Sequence, residues 1–340
     1  MSVFFRAKSP LRISFAGGGT DIEPVFREIG GAVLVSTIDK YSYVSISQRH
    51  DHKISIRSLD YNVEVEYHRE EKPLYNGVLD LAKACVEEIG TEVGLDICLQ
   101  TEAPPGSGLG SSSSMITALL GGLLGRTRQH LDQYALAEKA YHVERVKMAI
   151  SGGKQDQYAC AFGGFNLIEF HKNDDVEVTP LRLRPDIWND LESHCMLCFT
   201  GKTRLSANLI DKQVSAFGQN KGDSRAGTEA LRQLCYEAKT LLVKGKIYDF
   251  GQLLHRSGVE KKRMNPETTN EIIDSLYDTA RKHGALGGKI LGAGGGGYLL
   301  LLVPLDRKKA VKDALEELGG RFMSFSFTHD GVQTWTSTCP

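Results

Sequence analysis

The sequence predicts an α+β fold in two domains, on three grounds. Strand and helix patterns mix along the chain without the strict alternation of a doubly wound sheet. A charged segment with Pro180 and Pro185, at 172–192, interrupts the pattern about half-way. The length, 340 residues with 41% hydrophobic and 24% charged, suits two domains or one large one. The expected division is 1–180 and 181–340.

The first hundred residues alternate with period two. Phe5, Ala7, Leu11, Ile13 and Phe15 share one face, and Arg6, Lys8, Arg12 and Ser14 the other. Segments beginning at Tyr41, Lys53 and Asn62 read as further strands with one wet face. Helical spacing appears at 76–90, through Val78, Ala82, Cys85 and Ile89, and a strand follows from Gly94. Helices are expected at 112–126 and 131–149, then a strand at 165–170. Beyond the junction come a strand at 194–200, a helical stretch over 204–283, and two strands flanking Gly294–Gly297. A helix at 307–318 and two closing strands complete the pattern.

Composition narrows the function classes. A net charge near −1 argues against nucleic acid or an acidic membrane surface as partner. Seven cysteines scattered through apolar segments fit reduced thiols better than a disulfide framework. Cys195 and Cys198 sit in an apolar run with no second pair to complete a zinc site, so strand packing is expected there. No apolar stretch approaches the roughly 20 residues that span a bilayer, and no signal peptide is evident. The expectation is a cytoplasmic protein without a membrane partner; a homodimer is compatible with the sequence but not required by it.

The chemistry concentrates at Pro104–Met115, where Gly106, Gly108 and Gly110 run into Ser111–Ser114 and an apolar helical pattern. Glycines allow backbone to approach a ligand closely, and a helix beginning just after them offers free N–H groups to an anion. The serines could cap that helix or place a hydroxyl on a phosphate-bound cation. Two other glycine clusters are Gly17–Gly19 and Gly292–Gly297. The last matches a dinucleotide-binding spacing, but a strand follows it where that motif opens a helix. A phosphate-binding lysine loop also fails, because Met196 occupies its leading glycine position. Four consecutive glycines exceed what a turn needs, so Gly294–Gly297 is expected to approach a ligand.

Three separated segments, in order, resemble the GHMP kinases. They are Ser9-Pro-Leu-Arg-Ile-Ser-Phe-Ala-Gly-Gly-Gly-Thr-Asp, the 104–115 loop, and Lys289-Ile-Leu-Gly-Ala-Gly-Gly-Gly-Gly-Tyr. Within that family the chain is most similar to the bacterial D-glycero-α-D-manno-heptose 7-phosphate 1-kinases, through its first segment, the run 151–157 and Thr200–Ser206. L-Fucose kinases share much of this pattern and are the nearest alternative. Galactokinases carry Gly-Glu-His-Thr-Asp where this chain has Gly17-Gly18-Gly19-Thr20-Asp21, which argues against galactose. A non-catalytic ligand sensor is a more distant reading. The resemblance implies a two-domain architecture with the active site in the cleft, ATP and Mg²⁺ as cofactors, and a sugar phosphate as substrate.

Site roles follow from the resemblance residue by residue. Asp156 corresponds to the base that accepts the proton of the attacking hydroxyl, and Arg12 to the basic residue that holds base and phosphate. Pro105, Gly106, Ser107, Gly108, Leu109, Gly110, Ser111, Ser112 and Ser113 would bind ATP. Ser112 and Glu144 would hold Mg²⁺. Glu144 has support of its own, since it falls with Ala137, Tyr141 and Met148 on an otherwise apolar helical stripe, and an inward acid wants a cation. A surface pair with Lys147 is its alternative. Gly18, Gly19, Thr20, Asp21 and Gly295 would contact the sugar. Lys202, Arg204 and Ser206 are candidates for a substrate phosphate, with Lys154 as a further one.

Overall fold

A computed structural model describes residues 2–129, 131–203, 207–219 and 223–339. The first half contains β1 (Ser2–Ala16), α1 (Glu23–Ile29), β2 (Gly31–Arg49), β3 (Lys53–Ser58), β4 (Val63–His68) and α2 (Asp80–Ile89). It continues with β5 (Gly94–Thr101), α3 (Ser111–Arg126), α4 (Gln133–Tyr141), α5 (Gln155–Phe162), β6 (Phe165–Phe170) and β7 (Val176–Pro180). The second half opens with α6 (Pro185–His194), β8 (Cys195–Phe199), α7 (Ala207–Gly218), α8 (Ser224–Val243) and α9 (Ile247–Met264). It closes with α10 (Glu271–Lys282), β9 (Gly287–Ile290), β10 (Tyr298–Leu302), α11 (Lys308–Glu317), β11 (Arg321–Met323) and β12 (Gln333–Cys339).

The period-two segments build one sheet in the order β12-β1-β2-β5-β3-β4, with β6 also on β2 and β7 on β6. Its central strand, β2, is long enough to pair with β1 along one edge and with both β6 and β5 along the other. A second, antiparallel sheet runs β11-β8-β10-β9. Cys195 and Cys198 lie on β8 at opposite parity and enter different cores, as strand packing requires. The segment 172–192 is more structured than a linker: β7 lies within it, and α6 starts at Pro185, where a proline suits the first helical turn. The last strand, β12, leaves the second half and pairs along β1. It covers an edge of the first sheet that would otherwise expose a row of backbone groups.

The two halves share a core. Leu11, Ile13 and Phe15 of β1 pack in one apolar cluster with Leu234 of α8, Phe250 and Leu254 of α9, and Leu300 of β10. The far end of the first sheet forms a separate cluster with α2 and α3. The second sheet is covered by α10 and α11. The helix expected over 131–149 changes character part-way: α4 stops at Tyr141 and His142–Lys147 make a wider π turn. Such turns shift side chains out of helical register and commonly occur at functional sites.

Candidate active site

The turn between β5 and α3 depends on its glycines. Gly106, Gly108 and Gly110 all have positive φ, and a Cβ on Gly108 would stand 2.7 Å from the Leu291 carbonyl oxygen. Glycine alone permits this loop to lie against the third glycine cluster, where the Tyr298 amide donates to the Ser107 carbonyl at 2.9 Å. No side chain among the described residues caps α3. Its N-terminus, the positive end of a sixteen-residue helix, therefore faces the cavity described next without a protein acceptor at Gly110.

That cavity, about 820 Å³, lies between the two halves. It brings together Arg12, Gly18, Gly19, Asp21, Pro105, Gly106, Ser107, Gly108, Gly110, Ser111, Ser112, Glu144 and Asp156, all expected from the sequence as site residues. Its second wall comes from Ile210 and Gln213 of α7, Lys261 and Met264 of α9, and Leu291–Gly294 with Gly296. Tyr61, Val63, Leu79, Met115 and Met148 make one end apolar.

Arg12 and Asp156 form the central ion pair. Arg12 Nε donates to Asp156 Oδ1 at 2.7 Å, its Nη2 lies 2.6 Å from the same oxygen, and its Nη1 donates to the Gly108 carbonyl at 2.5 Å. The arginine side chain is 3% exposed and the aspartate 16%, so the carboxylate keeps an open side toward the cavity. Asp156 sits in the first turn of α5, where the helix dipole favours an anion.

Glu144 is fully buried, and its carboxylate gathers neutral donors: Ser112 Oγ at 2.6 Å, Ser113 Oγ at 2.7 Å and Gln157 Nε2 at 2.7 Å. Arg145 Nη1 lies 3.4 Å from Oε1. The alternative of a surface pair with Lys147 fails, because Lys147 reaches Glu87 and Glu88 instead. Ser112 Oγ and Glu144 therefore place two hard oxygen donors side by side on the cavity wall. No cluster of three metal-binding side chains exists among the described residues, so a cation held there would need phosphate oxygens and water to complete its shell.

Asp21 is also buried and lines the cavity. Gly19 N and Gln155 N donate to it at 3.1 Å each, and Gln155 Nε2 lies 3.1 Å from both oxygens. Burial raises its pKa, the negative charge of Asp156 raises it further, and the backbone donors oppose both. Gly153 packs against the carboxylate so tightly that a Cβ there would come within 1.9 Å of Oδ2.

Some expected residues take other places. Thr20 is buried and spends its hydroxyl on the Gly17 and Ala32 carbonyls, so it shapes the turn instead of facing a ligand. Leu109 is in the core and offers only its carbonyl, to the Arg12 amide. Ser113 stands behind Ser112, on Glu144. Gly295 is outside the cavity lining, its amide bonded to Thr268 and its carbonyl to Asn270. Lys202 is exposed and does not line the cavity, although its carbonyl accepts from the Gly297 amide at 2.8 Å. Lys154 is buried against Asp174 at 2.7 Å, with Phe26 and Tyr141 beside its ammonium. Arg204 and Ser206 lie outside the described residues.

The family models for the GHMP kinases N-terminal domain and C-terminal domain match residues 76–164 and 238–321. A D-glycero-alpha-D-manno-heptose 7-phosphate kinase of Campylobacter jejuni is 35% identical over 335 residues, 97% of this chain and 98% of that protein. This chain belongs to the GHMP kinases. A solved structure described as a D-glycero-D-manno-heptose 1-phosphate kinase from Bacteroides thetaiotaomicron superposes with a TM-score of 0.82 at 32% identity, covering 97% and 98% of the two chains. A bifunctional fucokinase/GDP-fucose pyrophosphorylase of Arabidopsis thaliana is 25% identical and matches over 31% of its own length.

In this GHMP kinase the structure adds residues that sequence reasoning passed over. Gln155 and Gln157 flank Asp156 and hold Asp21 and Glu144 respectively, so one helical turn organises three carboxylates. Arg145 lines the cavity and donates from Nε to the Gly153 carbonyl at 3.3 Å. Lys261 was legible in principle: it interrupts the buried stripe Leu254, Ser257, Met264 of α9, the same kind of signal that marked Glu144.

Proposed function

We propose that this GHMP kinase transfers the γ-phosphoryl group of ATP to the anomeric C1 hydroxyl of D-glycero-D-manno-heptose 7-phosphate, giving the 1,7-bisphosphate. The observation that carries the reaction type is the Arg12–Asp156 pair, with its open carboxylate beside an uncapped, glycine-lined helix N-terminus. Full-length similarity to the Campylobacter heptose 7-phosphate kinase supports the substrate.

The residues divide the work as follows. Nucleotide phosphates lie along 105–112, where backbone N–H groups and the α3 dipole face an anion. The adenine occupies the apolar end near Met115 and Met148. Ser112 and Glu144 hold Mg²⁺, which when bound neutralises charge on the phosphate oxygens. Asp21, which keeps acceptor capacity beyond the backbone and Gln155 donors, takes a sugar hydroxyl. Asp156 accepts the C1 hydroxyl proton as that oxygen bonds to the γ-phosphorus and the bond to the ADP oxygen breaks. Arg12 fixes the carboxylate's direction and places positive charge beside the transferring group.

ADP release with Mg²⁺-ATP over a sugar panel tests this. The panel holds the heptose 7-phosphate, the unphosphorylated heptose, L-fucose, galactose and mevalonate. Preferred turnover on the heptose 7-phosphate is expected; turnover on fucose with none on the heptose phosphate would reject the substrate, and silence on all would reject the kinase.

A further inference from the structure

Four lysines are buried among the described residues: Lys83, Lys154, Lys261 and Lys289. A buried ammonium is costly unless an anion accompanies it. Lys83 has Asp80 at 2.9 Å and Lys154 has Asp174 at 2.7 Å. Lys289 bonds only the Ser14 carbonyl among the described residues and does not line the cavity. Lys261 does line it, is 4% exposed, and has no carboxylate within 4 Å among the described residues. Its Nζ donates to the Ile290 carbonyl at 3.1 Å and the Gly292 carbonyl at 2.5 Å, both uncharged.

Among the described residues, these bonds leave one ammonium N–H and the whole charge without a protein partner. The surroundings worsen the imbalance. Burial drives the Lys261 pKa well below its ordinary value, the charges of Lys289 and Arg12 push the same way, and only Asp21 opposes them. The other cations of the cavity wall are matched, Arg12 by Asp156 and Arg145 by Glu144. The position is also informative. Lys261 is one helical turn from Met264, whose methyl packs against Gly19, and both residues line the same cavity.

We propose that Lys261 is a ligand-binding residue that holds a terminal phosphate group in the cavity through its remaining N–H, while its bonds to Ile290 and Gly292 fix the glycine cluster behind it. The inference rests on the phosphotransferase reading above. The same chemistry could be presented by the γ-phosphate of the nucleotide or by the phosphate on the sugar, and the experiment separates them.

Lys261→Gln is the informative variant, since its amide retains donors for the two carbonyls and removes the charge; Lys261→Met and Lys261→Arg accompany it. Kinetics would be measured on the heptose with and without its 7-phosphate, and calorimetric binding with ADP and with AMP-PNP. A charge-assisted hydrogen bond gives about a tenfold to hundredfold effect. If the sugar phosphate is held, KM rises by that factor for the phosphorylated heptose alone, and Lys261→Arg recovers part of it. If the γ-phosphate is held, AMP-PNP loses its advantage over ADP by that factor, with both sugars affected alike. Unchanged constants, or equal losses for ADP and AMP-PNP together with equal losses for both sugars, would overturn the proposal and leave Lys261 as a support for its turn. Should the variants not fold, a crystal of the wild-type ternary complex decides: no phosphate oxygen within about 3.5 Å of Nζ rejects it. A wild-type enzyme inactive on every sugar but with the nucleotide preference lost in Lys261→Gln would reject the substrate reading and keep this one.

Discussion

Replacing Glu144 by glutamine separates charge from shape at the point where the cation is expected. The carboxylate accepts from Ser112, Ser113 and Gln157, and the substitution keeps its volume. A glutamine amide would oppose donor to donor unless a neighbour turns over, and the neighbours can. Serine hydroxyls both donate and accept, and the Gln157 Oε1 is buried without a partner, so rotation of that amide offers an acceptor to the new N–H. Loss of charge-assisted bonds is then offset by relief from burying a full charge, and stability should change by only about 1 kcal/mol. Catalysis should respond otherwise. Removing one preorganised electrostatic element at a transferring phosphate costs about 10²–10³ in kcat, or roughly 3–4 kcal/mol. Thermal unfolding together with kcat over a range of Mg²⁺ concentrations makes the comparison. A Glu144→Gln enzyme within threefold of the native kcat at low and high Mg²⁺ would refute the cation role. Glu144→Ala is the contrast, since it leaves several buried donors unsatisfied at about 1–3 kcal/mol each and should lower the melting temperature markedly.

Further outcomes follow from the same geometry. Asp156→Asn should lower kcat by about 10²–10⁴ while nucleotide affinity stays within a few-fold, measured by ADP release and equilibrium binding. Gly153→Ala drives a methyl into Asp21, since the Cβ would stand 1.9 Å from Oδ2; strain of about 1–3 kcal/mol should raise the sugar KM tenfold or more and spare that of ATP. Burial, then the Arg12 charge, lowers the Lys289 pKa to about 8. Between that value and the unfolded value near 10.5 the unfolded chain binds more protons, so Lys289 destabilises the fold below pH 8 and ceases to do so as pH rises through the window. Native protein should therefore gain on the order of 3 kcal/mol relative to Lys289→Met across that range in denaturant titrations, and parallel curves would contradict it.

Patterns that depend on neighbours in the chain were legible in the sequence. Period-two alternation marked β1, and the alternating glycines before Ser111 marked a loop that only positive φ can form. An acid on an apolar stripe marked Glu144, because burial of a charge leaves a trace in the pattern wherever the rest of the face is apolar. Family resemblance added Asp156, Arg12 and Asp21, which spacing alone could not have assigned. All three line the cavity.

Tertiary structure decided which donors and acceptors meet across long separations. Thr20 looks like a sugar ligand beside Asp21, but its hydroxyl turns inward to Ala32 because the tight turn leaves backbone carbonyls that need a donor. Lys202 follows a strand end, where a phosphate ligand is expected, yet it does not line the cavity, whereas Lys261, from the last turn of a helix, does. Nor could the sequence show that β12 returns to β1, or that Gly108 and Leu291 come into contact. Local propensity fixes the direction of a side chain relative to its own strand or helix. Where that direction leads depends on how the shared core of Leu11, Phe15, Phe250 and Leu300 sets one half against the other, and that is a property of packing between distant segments.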